Sequence, residues 1–182
     1  MKPFKEIKKW FENQENLFYL FLIILIVPNV VLCFTEPMPI VAKVCNVLLP
    51  FSIYYMVMSW SRNCGRTFWI LFPFLFFGAF QIVLLYLFGQ SIIAVDMFLN
   101  LVTTNSSEAL ELLDNLIPAI VIVVLLYIPA LAVATVSVIK KRELPELFIH
   151  RERKRARLAM IAGVLSLGAA YLFDLSLIHI SE

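Results

Sequence analysis

Leu17-Phe-Tyr-Leu-Phe-Leu-Ile-Ile-Leu-Ile-Val-Pro-Asn-Val-Val-Leu-Cys-Phe34 runs for 18 residues without a charged side chain. A helix needs about 20 predominantly apolar residues to cross a bilayer, so this stretch is long enough to span one. It is no cleavable leader by pattern, because Cys33-Phe34-Thr35-Glu36 offers no small-x-small cleavage site after the apolar run. Comparable apolar runs recur at 40–60, 67–89, 116–139 and 158–173, uncharged apart from Lys43. Of the 182 residues, 62% are hydrophobic and 15% charged, against roughly 45–50% apolar and about 25% charged in soluble domains. The expected fold is therefore all-α, an integral membrane domain of five transmembrane helices that leaves little chain for an aqueous domain. Pro28, Pro50, Pro73 and Pro129 fall inside spans and predict kinks. The second span is the weakest, since Lys43 must reach back to the interface.

The basic residues set the orientation, because the cell retains them on the cytoplasmic side when they closely flank a span. They fall at Lys2, Lys5, Lys8 and Lys9, at Arg62 and Arg66, and at Lys140, Lys141, Arg142, Arg151, Arg153, Lys154, Arg155 and Arg157. Only Lys43 lies in the opposite set of loops. The amino terminus is therefore expected inside and the fifth span carries the chain outward. Trp10, Trp60 and Trp69 lie near the same boundaries, where amphipathic rings anchor at headgroup depth. The run from Lys140 to Arg157 is read as an orientation signal in preference to a lipid or protein docking site, because Glu143, Glu146 and Glu152 dilute it. Pro145 is expected to interrupt the loop helix there.

A formal charge of +2 gives no reason to expect a nucleic acid partner. Cys33, Cys45 and Cys64 have no ligand spacing, and neither His150 nor His179 neighbours them, so no zinc motif is encoded. The cysteines are read as free and apolar in behaviour rather than as a Cys33–Cys45 disulfide.

One polar stretch is left unexplained by topology. Residues 90–115 carry Asp96, Glu108, Glu111 and Asp114 and no lysine or arginine. Ile92, Ile93, Val95, Met97, Phe98, Leu99, Leu101 and Val102 make it apolar enough to lie in the outer interface as an amphipathic segment between helices three and four. Asn100, Thr104 and Glu108 recur at steps of four, which on one continuous helix forms a stripe extending about 12 Å along the axis. The same residues permit a second arrangement, in which Asn105 as N-cap and Glu108 three residues later form a capping box that opens a helix over 106–113. Spacing leaves both open.

The stretch Val95-Asp-Met-Phe-Leu-Asn-Leu-Val-Thr-Thr-Asn-Ser-Ser-Glu-Ala-Leu-Glu-Leu-Leu113 resembles the outer-face segment of bacterial phosphoethanolamine transferases, the lipid A modifying and mobile colistin-resistance type. The resemblance implies a five-span membrane domain over 1–174, an inner-membrane location and a periplasmic catalytic domain after span five. It implies that Asn100, Thr104 and Glu108 bind the phosphoethanolamine group. It also implies phosphatidylethanolamine as donor and lipid A or another envelope glycan as acceptor. In that family a threonine nucleophile and zinc perform the phosphoryl chemistry in the periplasmic domain, so neither a catalytic residue nor a metal ligand is expected in these residues. Leu175-Ser-Leu-Ile-His-Ile-Ser-Glu182 does not resemble the family's continuation and reads as a non-native tail. The expected function is that of the membrane domain of a truncated transferase, inactive by itself. A complete small membrane scaffold or binding protein, or a transporter subunit, is the alternative.

Overall fold

The computed structural model describes the backbone of Glu6 and of residues 10–35, 37–78 and 106–180, and the side chains within them except at 106–116, 118, 119 and 174–180. The described backbone contains helices and no strand. In chain order these are α1 (Gln14–Thr35), α2 (Ile40–Met58), α3 (Cys64–Ile70), α4 (Ser106–Ile139) and α5 (Glu146–Ile180). Four segments are long and apolar enough to cross a membrane: Gln14–Thr35, Ile40–Met58, Ile120–Ile139 and Glu146–Phe173. These correspond to expected spans one, two, four and five.

The third expected span, 67–89, is met only in part. Helix α3 is followed by a turn at Leu71 and by helical backbone over 72–78, and the rest of that run lies outside the described residues. Two boundaries differ from expectation. Helix α4 begins at Ser106, so the end of the acidic segment and span four form one rod of 34 residues. Pro145 does not break a loop helix. Its carbonyl accepts from the Ile149 amide at 3.1 Å and opens α5, a position suited to a residue that lacks its own N–H.

The apolar runs within these helices are apolar on most of their circumference, so the burial pattern there comes from neighbours. On α1 the buried side chains are Leu17, Phe18, Phe21, Leu22, Ile24 and Leu25, one face of the helix, while Ile23 is 60% exposed. Phe21 stacks on Phe68 of α3 with centroids 4.2 Å apart, and Phe18 meets Phe148 of α5 edge-on at 5.5 Å. Asn46 of α2 donates to the Asn29 carbonyl of α1 at 2.9 Å. Such bonds and close packing hold helices together in lipid, where burial of apolar surface no longer discriminates between a neighbouring helix and an acyl chain.

Small residues set the tightest approaches. A Cβ on Gly163 of α5 would lie 2.5 Å from Ser52 Oγ and 3.3 Å from Leu49 Cα of α2. A Cβ on Gly65 of α3 would fall on the Ala134 carbonyl of α4. Helices α2 and α5 run antiparallel, with Tyr55 opposite Glu152 and Ser52 opposite Gly163. The chain of α3 descends beside α4, from Gly65 at Ala134 to Gly78 near Tyr127 and Pro28.

Candidate functional site

The ends of α2 and α4, the starts of α3 and α5 and the residues before α1 converge at one charged end of the bundle. Asn63 links the start of α3 to the end of α4. Its Oδ1 accepts from the Arg66 amide at 2.8 Å and caps α3, while its Nδ2 donates to the Arg142 carbonyl at 3.1 Å. Arg62 and Leu144 pair reciprocally. The Leu144 amide donates to the Arg62 carbonyl at 2.8 Å and Arg62 Nε returns a bond to the Leu144 carbonyl at 3.2 Å. The Arg62 guanidinium also pairs with Glu143 at 3.2 Å and Glu146 at 2.9 Å. Arg142 reaches Glu12 ahead of α1 at 3.7 Å.

The turn out of α4 is unusual in its residue choice. Lys141 has φ 49°, its amide bonds to the Val138 carbonyl, and the Arg142 amide bonds back to Ser137 at 3.1 Å. This is a Schellman ending with lysine where glycine is the common choice.

Two polar clusters, one around Glu152 and one around Gln14, lie in the packed interior at this end. Glu152 is fully buried, with Tyr55 Oη donating to its Oε2 and the guanidiniums of Arg151 and Arg155 on its Oε1 at 3.0 and 2.9 Å. Both arginines are more than half exposed, so the pairs are partly screened, and of these bonds to Glu152 the one from Tyr55 ties α2 to α5. Gln14 Oε1 accepts from Ser137 Oγ at 2.6 Å and from Cys64 Sγ at 3.3 Å, joining α1, α3 and α4. Burial pushes the Cys64 thiol up to about 11. A buried, protonated thiol and a carboxylate neutralised by its neighbours have the chemistry of latches, not of a nucleophile or a base. Among the described residues no three His, Cys, Asp or Glu side chains converge as metal ligands.

Arg153 donates to the Ser59 and Trp60 carbonyls at 3.2–3.4 Å, capping α2 with a fixed positive charge. Beside it opens a cleft of about 300 Å3 lined by Met56, Ser59, Trp60, Arg153 and Arg157.

The sequence-based site is not assembled by these contacts. Asn100 and Thr104 lie outside the described residues, as does Asn105, the alternative cap. Glu108 is described in its backbone alone, in the first turn of α4. In the sequence Glu152 only dilutes the basic run, whereas in the fold it is that run's buried hub. The signal available was its position three residues before Arg155 and one after Arg151, but spacing does not reveal a tyrosine arriving from another helix. Cys33 and Cys45 are free thiols, and Cys33 accepts from Asn46 Nδ2 at 3.4 Å. Comparison with family models, curated proteins and solved structures finds no match to this chain.

Proposed function

We propose that this chain forms the membrane domain of a bacterial phosphoethanolamine transferase, seated in the inner membrane with its amino terminus in the cytoplasm. The observation that carries the reading is the resemblance of residues 95–113, with Asn100, Thr104 and Glu108 at its steps of four. The donor is phosphatidylethanolamine and the acceptor is lipid A or another envelope glycan. The phosphoryl chemistry belongs to a zinc-bearing domain outside these 182 residues.

The geometry supports five crossings and an outward place for Glu108. Helices α2 and α4 both end at the charged end and α3 starts there, while α4 starts a full helix length away, the arrangement that one crossing between α3 and α4 would give. From Glu108 to Ile139 the contour of α4 is about 46 Å, longer than a hydrocarbon core of about 30 Å by more than a kink at Pro129 takes up. With Ile139 anchored by Lys140, Lys141 and Arg142 at the inner surface, Glu108 reaches past the outer hydrocarbon boundary.

Electrostatics favour the amine of the head group as the part recognised there. Residues 90–115 carry four acids and no lysine or arginine, which suits an ammonium and repels a bare phosphate. Glu108 supplies the counter-charge, and Asn100 and Thr104 supply neutral hydrogen bonds. In the full-length transferase, Glu108→Ala lowers phosphoethanolamine transfer by about tenfold, the scale of one lost charge-assisted hydrogen bond. Wild-type transfer by that variant at equal expression refutes the role.

A further inference from the structure

The arginines of the charged end differ in how their charge is met. Arg62, Arg142, Arg151 and Arg155 each face a glutamate within ion-pair distance. Arg153 and Arg157 have no acidic partner among the described residues, and these two line the same cleft. Arg153 is held in place by carbonyls, which fix its guanidinium without neutralising it. Arg157 follows one helical turn later, about 6 Å along α5 on the same side. The facing wall is apolar, made by Met56 and by Trp60, which is 78% exposed.

The depth of the cleft matters as much as its charge. Arg157 is the last charged residue before the uncharged run that starts at Leu158, so the cleft opens at the boundary between headgroups and hydrocarbon. Two unneutralised guanidiniums beside an indole, at that depth, match a phosphodiester with its glycerol and first methylenes. Orientation of the chain requires basic residues on one side of the membrane, which Lys140, Lys141 and Lys154 also provide. It does not require two of them in one cleft with their charge unspent.

We propose that this cleft binds the phosphate-bearing headgroup of an anionic membrane lipid. The site is separate from the acidic segment at 90–115 and rests on the chain spanning a membrane, not on the transferase reading. Apolar lining and depth favour a lipid over a free phosphate ion.

Native mass spectrometry of the purified 182-residue chain in dodecyl maltoside, titrated with dioctanoyl phosphatidylglycerol, tests the site. One lipid binds saturably, Arg157→Gln weakens it by about tenfold, and Lys154→Gln, an equal change of charge outside the cleft, leaves it unaltered. Trp60→Ser, which keeps both guanidiniums and removes the apolar wall, also weakens binding. Equal losses in Arg157→Gln and Lys154→Gln overturn the proposal in favour of diffuse surface charge. Equal binding of dioctanoyl phosphatidylcholine, displacement by inorganic phosphate at the same concentration as the lipid, or unchanged binding in Trp60→Ser overturns it as well.

Discussion

Cys64 makes a thiol's behaviour a question of what surrounds it. Its side chain is fully buried and donates to Gln14, and burial raises its pKa from 9.0 to about 11. The thiolate is the reactive form, so in the folded chain Cys64 resists maleimide at neutral pH while the half-buried Cys33 and Cys45 are less shielded. The same proton affects stability. The folded state keeps it where the unfolded chain has lost it, so the contribution of this group is intact below pH 9.0 and declines as pH rises toward about 11. Mass mapping of maleimide adducts, native against detergent-denatured, checks the first statement, and rapid labelling of native Cys64 contradicts it. None of this burial was legible in the sequence, where the three cysteines look alike. Lys141 teaches the same lesson for backbone: a left-handed lysine at a helix end carries no residue signature, because glycine or asparagine is the usual choice.

Helices α2 and α5 meet where side chains are smallest. Gly163→Val forces a side chain into Ser52 and Leu49, and overpacking of this kind costs about 1–3 kcal/mol. Gly168, one and a half turns further along α5, has nothing within 4 Å of a Cβ placed on it. Gly168→Ala is therefore expected to hold or raise stability by about 0.5–1 kcal/mol through helix propensity. Thermal unfolding in detergent distinguishes the pair, and similar destabilisation by both substitutions would contradict the packing of α2 on α5. The existence of these helices follows from their uncharged runs. Their facing sides do not, since α1 presents Ile23 and Phe21 as equally apolar and only the approach of Phe68 makes one buried and the other exposed. The limits of α4 and α5 also exceed the apolar runs, because a helix continues into polar sequence as long as its backbone bonds propagate and nothing terminates it.

At the scale of the whole molecule, the parity of the crossings fixes on which side Ser106 emerges. With five crossings and the amino terminus inside, Ser106→Cys in intact cells is modified by a membrane-impermeant maleimide. Labelling confined to broken cells contradicts the orientation and, with it, any contact of Glu108 with an outer-leaflet head group. The sequence by itself determined helices long and apolar enough to cross a membrane, because length and lack of charge decide whether a segment can leave water. It also singled out Asn100, Thr104 and Glu108 as a polar pattern that span-forming cannot explain. Only the tertiary structure decided that Glu152 is a buried hub fed from two helices, and that Arg153 and Arg157 keep their charge while neighbouring arginines are neutralised. The physical reason is range: partitioning into a bilayer is a property of consecutive residues, whereas the partners of a charge lie more than 90 positions away in the chain and folding brings them within 3.2 Å.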